Sequence, residues 1–333
     1  MLPVAVDNPV TLGEGDTPLI ELGALGSRWG LDRLFLKNEA ANPTWSHKDR
    51  LCAAAVTAAD VLGAEAVVAA STGNHGASLA AYAARAGKPC VIATLASVPT
   101  TMRVLMEAYG ARVEVVGRSE ERYELIAAGV EEFGWFPCSN ASSPPVGSTP
   151  YGVDAYKTIS YEIWSQTSGQ PVDVVVVPAG YGDCLRGIAR GFDDLLLAGL
   201  IDYAPRLIAA EVFNKIGQSL ESRSYELGPW PSESTAAFSI AGGFTTYQAV
   251  STISSRNGLA VTVAEENILR TQLELARAEG IYVEASSAVA VAAVNDAYKR
   301  GLLRPDETVV VIGTSTGLKD PESTAAAIEL ANK

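Results

Sequence analysis

Short valine-rich runs, separated by longer alanine-rich or amphipathic stretches, constrain the fold of this chain more than any motif does. Val67–Ala70, Cys90–Leu95, Arg112–Val116, Asp173–Val177, Leu207–Val212 and Thr308–Ile312 are short and bounded by Gly, Pro or polar residues. Runs that are apolar throughout, rather than at alternate positions, suit strands buried on both faces of a parallel sheet. Between them, Asp49–Leu62, Ala77–Arg85, Thr101–Tyr109, Glu120–Phe133, Thr158–Gln166, Leu185–Leu197, Glu265–Glu279 and Ser286–Lys299 read as helices. The alternation predicts a layered α/β protein with crossover helices. A Ser/Pro/Gly-rich stretch, Ser139 to Gly152, is the best linker candidate. It separates a smaller domain, 45–145, from a larger one made of 1–44 plus 146–333. A second irregular stretch, Arg223 to Tyr247, reads as a loop region near a ligand.

Composition narrows what such a protein does. Apolar residues make up 48% of the chain and charged ones 19%, which is the profile of a well-buried enzyme. A formal charge of −13 argues against nucleic-acid or anionic-membrane partners, which call for a Lys/Arg surplus. It does not exclude a small anionic substrate, because a local pocket can oppose the global sign. Cys52, Cys90, Cys138 and Cys184 have no paired spacing, so reduced thiols are expected rather than disulfides or a metal site. No apolar stretch reaches the roughly 18 residues of a membrane span. Met1 to Val10 lacks the pattern of a secretory signal. The expectation is a cytoplasmic globular enzyme.

Four loops carry candidate chemistry. In Ser46-His47-Lys48-Asp49-Arg50-Leu51 a lysine opens an Ala-rich helix. A lysine forms a Schiff base with an aldehyde only as the neutral amine, and the first turn of a tightly packed helix is a place to hold one. In Ser71-Thr72-Gly73-Asn74-His75-Gly76 small residues stand between a strand and a helix. Backbone N–H groups at such a helix start bind anions, here a substrate carboxylate, and Asn74 can reach a phenolic oxygen. The run Gly180-Tyr181-Gly182-Asp183-Cys184 follows the strongest strand and reads as a phosphate cradle. Asp183 conflicts with that reading unless its carboxylate points away. In Gly313-Thr314-Ser315-Thr316-Gly317 the hydroxyls can meet a pyridine nitrogen. A neutral partner there leaves the ring less electron-withdrawing than an Asp would, which favours elimination or replacement over transamination.

In this order and spacing the four loops resemble the threonine-synthase group of fold-type-II pyridoxal-phosphate enzymes. Gly15-Asp16-Thr17-Pro18-Leu19, Leu36-Lys37-Asn38-Glu39, Arg103 with Tyr109-Gly110-Ala111, Asp154 to Ile163, Glu284 to Ala288, and Gly317-Leu318-Lys319-Asp320-Pro321 extend the likeness over roughly 13–321. The resemblance implies two open-sheet domains with helices on both faces, a smaller domain that moves, pyridoxal 5'-phosphate in the interdomain cleft, and a homodimer. It makes Lys48 the Schiff-base lysine and proton carrier. Asn74 then meets the ring oxygen, and Gly180, Tyr181, Gly182, Asp183 and Cys184 hold the phosphate. Thr314, with Ser315 as the alternative, faces the pyridine nitrogen. His47 is a further phosphate candidate. Ser71, Thr72, Gly73, His75 and Gly242 fall to an amino-acid substrate.

Three departures bear on that substrate. Thr316 stands where many threonine synthases have a histidine. Ser148 to Val153 lacks the family's arginine, and Ser239 to Phe244 is closer to the corresponding loop of cysteine synthases. Arg103, Lys157 and Lys215 are the remaining candidates for gripping an anion. The reading is a lyase that removes phosphate from O-phosphohomoserine and adds water at Cβ. The alternative is β-elimination or β-replacement on Ser, Thr or an activated serine. A regulatory cofactor-binding protein without turnover and a nucleotide-binding domain are the readings outside this class.

Overall fold

The computed structural model describes residues 7–223, 227–230 and 233–331. It separates into two compact units, one of residues up to Gly15 with Asn42–Tyr156, the other of Asp16–Ala41 with Lys157 onward. The first unit therefore runs eleven residues beyond the expected limit at 145. Thr149 and Pro150 start a helix, Pro150–Ala155, within the stretch read as linker. Proline suits the first helical position because its missing N–H has no partner to lose there. The helix lies against the lysine-bearing helix so closely that a Cβ on Gly152 would come 2.6 Å from Leu51 Cγ.

In this unit four parallel strands stand in the order Arg112–Val116, Cys90–Leu95, Val67–Ala70, Phe136–Pro137. The helices Lys48–Val61, Asn74–Arg85, Thr100–Ala108 and Ser119–Phe133 alternate with them. Each starts one to three residues ahead of its sequence-predicted start, because polar and glycine residues at helix openings carry no apolar period to read. Val67, Val68 and Ala69 are fully buried, as a strand covered on both faces must be.

The second unit holds a six-stranded sheet ordered Leu19–Glu21, Arg33–Asn38, Thr308–Gly313, Val174–Pro178, Arg206–Glu211, Leu259–Thr262. All neighbours are parallel except Leu19–Glu21, which pairs antiparallel at one edge. The Ala-rich helix Ala285–Lys299 is buried along most of its length against one face. Small side chains let a helix approach a sheet closely, which is why its apolar residues run all round rather than along one stripe. Part of the irregular 223–247 stretch lies outside the described residues, as does the start of Met1 to Val10. No described helix is long and apolar enough to cross a membrane.

Candidate active site

In the first unit the lysine sits at the opening of the helix Lys48–Val61. The Ser46 hydroxyl accepts the Lys48 backbone N–H at 3.2 Å. Asp49 points the other way, into the protein. Its carboxylate is fully buried and accepts from the Thr44 N–H at 2.6 Å, the Thr44 hydroxyl, and the Ser78 hydroxyl at 2.6 Å. The Asp that gave the Lys-Asp-Arg motif its look is thus an anchor that ties the helix start to the preceding turn and to the helix Asn74–Arg85.

Lys48 itself is half-buried, and among the described residues its Nζ has no hydrogen-bond or ion-pair partner. It lies 5.8 Å from the centre of the Tyr156 ring. His47 stacks on that ring from beside it, with centroids 5.4 Å apart and planes 24° from parallel. Tyr156 lies within the Asp154 to Ile163 segment that carried the family likeness, but nothing in its position singles out the ring as a platform for the lysine.

The Ser71–Gly76 loop joins strand Val67–Ala70 to the helix Asn74–Arg85. The Ser71 hydroxyl accepts the N–H groups of Gly73 at 3.2 Å and Gly76 at 2.9 Å. Ser71 thereby shapes the loop, while the N–H groups of Thr72 and His75 have no partner among the described residues. His75 is almost wholly buried, and its Nε2 is likewise without a partner. A buried, unsatisfied imidazole nitrogen costs free energy on the order of 1–3 kcal/mol, so its retention points to a ligand.

Burial, with the positive charge of Lys48 adding to it, lowers His75 to about 3. In the unfolded chain the same ring takes its proton near the ordinary 6.5. The unfolded state therefore binds more protons between these values, and stability falls as pH drops through 6.5 towards 3. His75→Gln removes this contribution. Between pH 7 and pH 5 the variant is expected to lose about 2 kcal/mol less stability than the parent. Urea denaturation of the cofactor-free protein at the two pH values measures it, and equal losses in both proteins would rule the effect out.

In the second unit the strand Val174–Pro178 delivers the Gly180–Cys184 turn to the helix Asp183–Leu197. Gly182 has φ +79°, a left-handed conformation that side chains other than glycine rarely adopt. A Cβ there would also meet Ala249 Cβ at 2.6 Å, so backbone and packing both demand glycine. The turn is pinned from the start of the helix Tyr247–Ser254. The Thr246 hydroxyl and Gln248 Nε2 both donate to the Tyr181 carbonyl, at 2.6 and 3.1 Å. Gln248 Nε2 also donates to Asp183 Oδ1 at 2.6 Å. That bond turns one Asp183 oxygen towards a side-chain amide.

The hydroxyls of the last motif are buried and ordered by Ser287, on the helix Ala285–Lys299. Ser287 Oγ is 2.7 Å from Thr314 Oγ1 and accepts the Ser315 N–H at 3.0 Å. Thr316 uses its hydroxyl to cap the next turn by accepting the Leu318 N–H. Gly242 sits against the same turn as Gly180, within 3.4 Å of the Tyr181 hydroxyl as measured from an added Cβ.

The three anion candidates have separate fates. Arg103 is half-exposed beside Glu107 on a helix surface. Lys157 is buried against Asp194 at 3.1 Å. Lys215 is buried beneath the Ile240–Gly242 loop. The Lys37 and Glu39 of the early motif are structural too. Lys37 Nζ donates to Glu162 Oε2 at 2.6 Å and Gln166 Oε1 at 2.9 Å, and Glu39 accepts the Thr17 hydroxyl.

Taken unit by unit, these residue types suit the parts of a pyridoxal-phosphate molecule. They include an amine with no carboxylate neutralising it, a buried imidazole nitrogen awaiting a partner, a glycine turn at a helix N-terminus, and paired neutral hydroxyls. Among the described residues no His/Cys/Asp/Glu group is arranged to hold a metal ion. All four cysteines are free and buried, and burial pushes Cys90 up to about 12, so it stays a thiol.

Comparison with known proteins points the same way. A family model described as pyridoxal-phosphate dependent enzyme matches residues 10–315. Threonine synthase from Methanocaldococcus jannaschii is 36% identical over 96% of this chain and 79% of its own length. Threonine synthase from Methanosarcina acetivorans is 35% identical over 97% of this chain and 79% of its own. Among solved structures, maize serine racemase superposes with a TM-score of 0.80 over 95% of this chain and 94% of its own, at 21% identity. At that identity the last match speaks for the fold alone.

Proposed function

This chain belongs to the pyridoxal-phosphate dependent enzymes, and on that premise we propose that it is a lyase of the threonine-synthase type. It would convert O-phosphohomoserine and water to threonine and inorganic phosphate. The near-full-length likeness to threonine synthases carries the proposal.

Bound pyridoxal phosphate supplies an electron-withdrawing ring that stabilises negative charge on the carbons of an amino acid attached to it. The remaining work falls to this chain's residues. Lys48 would hold the cofactor and would serve as base and acid, taking one proton from Cα and one from Cβ and returning one to Cγ and one to Cα as phosphate leaves Cγ and water adds at Cβ. Its position over the Tyr156 ring, with no carboxylate partner, leaves the amine available for both roles.

The N–H groups of Thr72 and His75 and the loop from Ser71 to Gly73 receive the substrate carboxylate, an anion at a helix start. Asn74 meets the ring oxygen. Neutral His75 offers Nε2 to the bound molecules without adding a charge. Gly180 to Cys184, at the start of a fifteen-residue helix, hold the cofactor phosphate. Thr314, aligned by Ser287, offers a neutral hydroxyl to the pyridine nitrogen, and such a partner favours elimination over transamination. His47, held against Tyr156, is a further candidate for the cofactor phosphate. We further place the protein in the cytoplasm and assign it a homodimeric state, the second resting on the family likeness.

The test is a product assay on the purified holoenzyme. With O-phosphohomoserine, phosphate and threonine should form in equal amounts. If that substrate is untouched while serine or threonine yields ammonia and a 2-oxo acid, the protein is a dehydratase. If an activated serine is consumed with replacement of its β-substituent, it is a β-replacement enzyme.

A further inference from the structure

The loop that backs the Gly180–Gly182 turn is held from below by a buried ammonium ion. Lys215 opens the helix Lys215–Ser222, just after the strand Arg206–Glu211, and is 1% exposed. Its Nζ donates to the Gly242 carbonyl and, at 3.4 Å, to the Ile240 carbonyl. The Phe213 ring centre is 5.6 Å away. Glu211, fully buried at the end of the strand, accepts the N–H groups of Ile216 at 2.8 Å and Gly217 at 2.9 Å. Burial lowers Lys215 to about 8, with the negative charge of Glu211 opposing the shift. At neutral pH the ammonium keeps its proton.

Taking an ammonium out of water costs several kcal/mol, and an apolar side chain would fill the same space without that cost. What the charge gains is two carbonyl oxygens of an irregular loop, which no strand or helix partner would otherwise hold. That loop is the wall of the turn. A Cβ on Gly180 would be 3.4 Å from Ile240 Cα, and a Cβ on Gly242 would be 3.4 Å from the Tyr181 hydroxyl. The two carbonyls that Lys215 holds therefore belong to residues that pack near Gly180 and Tyr181, close enough that a Cβ added to either glycine would touch its neighbour.

We propose that Lys215 is a positioning residue for the cofactor site, an internal ammonium that draws the carbonyls of Ile240 and Gly242 inward and so fixes the wall behind the Gly180–Gly182 turn. The proposal rests on the reading of that turn as the holder of the cofactor phosphate. Its consequence is a chemical rescue. Lys215→Ala would leave a cavity faced by the two carbonyl oxygens that the ammonium held, a site for a free ammonium ion. Lys215→Met fills the volume and offers no donor.

The experiment measures pyridoxal phosphate and pyridoxal binding by absorbance, with circular dichroism to verify folding. Both variants should bind pyridoxal phosphate about ten-fold more weakly, the loss expected for a charged hydrogen bond. Ammonium chloride should restore Lys215→Ala but not Lys215→Met, and tetramethylammonium chloride at the same ionic strength should restore neither. Parent-like binding by Lys215→Met, or a Lys215→Ala deficit indifferent to ammonium, overturns the proposal. Gly182→Ala separates this from failure of the underlying reading. If it weakens pyridoxal phosphate and phosphate-free pyridoxal by the same factor, the turn does not hold the phosphate. If it weakens the phosphorylated form selectively while the Lys215 variants bind normally, only the role of Lys215 fails.

Discussion

Replacing Lys48 with alanine is expected to lower turnover by roughly 10³-fold or more, since a positioned acid–base group alone contributes 10²- to 10⁴-fold and the covalent anchor for the cofactor goes with it. The side chain is half-buried, so its loss should leave the fold nearly unchanged, and the effect should fall on chemistry rather than stability. The visible absorption band of the lysine-bound cofactor should vanish in Lys48→Ala, and borohydride should no longer fix cofactor to the protein. Lys48→Arg should be as inactive, because a guanidinium keeps its proton and cannot act as a nucleophilic amine. Survival of the absorption band in Lys48→Ala would sink the assignment of this lysine. Partial recovery of turnover with added ethylamine would support it, since a free amine could then serve as the missing base.

The neighbouring residue is expected to show the largest effect on stability. Asp49→Ala removes the acceptor for the Thr44 N–H, the Thr44 hydroxyl and the Ser78 hydroxyl, all buried. Breaking a buried network by deleting its charged member typically costs about 3–5 kcal/mol. Urea denaturation should show a loss in this range, and a loss below about 1 kcal/mol would mean that the three donors find other partners. Asp49→Asn keeps an acceptor oxygen and the shape, so it should fall between the two. Because Asp49 also fixes the helix turn bearing Lys48, the variants that fold should show reduced turnover with little change in affinity for pyridoxal phosphate. Two adjacent residues of one motif thus separate, one by activity and the other by stability.

Much of this protein is legible in its sequence, for reasons that the structure makes plain. The six strands expected from valine-rich runs are all present; five are largely buried, as a strand covered on both faces must be apolar throughout, while Arg112–Val116, an edge strand with no fully buried residue, is legible from its valines alone. The four strands missed lack that property. Leu259–Thr262 is only partly buried, Leu19–Glu21 is a three-residue edge, and Phe136–Pro137 is a two-residue pairing. Arg33–Asn38 carries Lys37, which breaks the apolar run although it is fully buried in the fold. That lysine is tolerated because Glu162 and Gln166, far along the chain, meet its ammonium.

The same distinction holds for the candidate site. Glycine-bearing turns after strands, and a lysine opening an Ala-rich helix, could be read locally because their chemistry depends on local backbone geometry. Tyr156 beneath Lys48, Gln248 on Asp183, Ser287 behind Thr314 and Lys215 under the Ile240–Gly242 loop could not. Each acts through a partner brought close only when the helices and strands pack. From sequence alone, then, come the α/β class, the cofactor and the loops proposed to serve it, since these follow from periodicity and from motifs whose order is itself informative. Tertiary structure decided which charged side chains are chemical and which are structural. Asp49, Lys37, Lys157 and Lys215 differ in that respect by their partners and burial, which residue type and spacing do not encode.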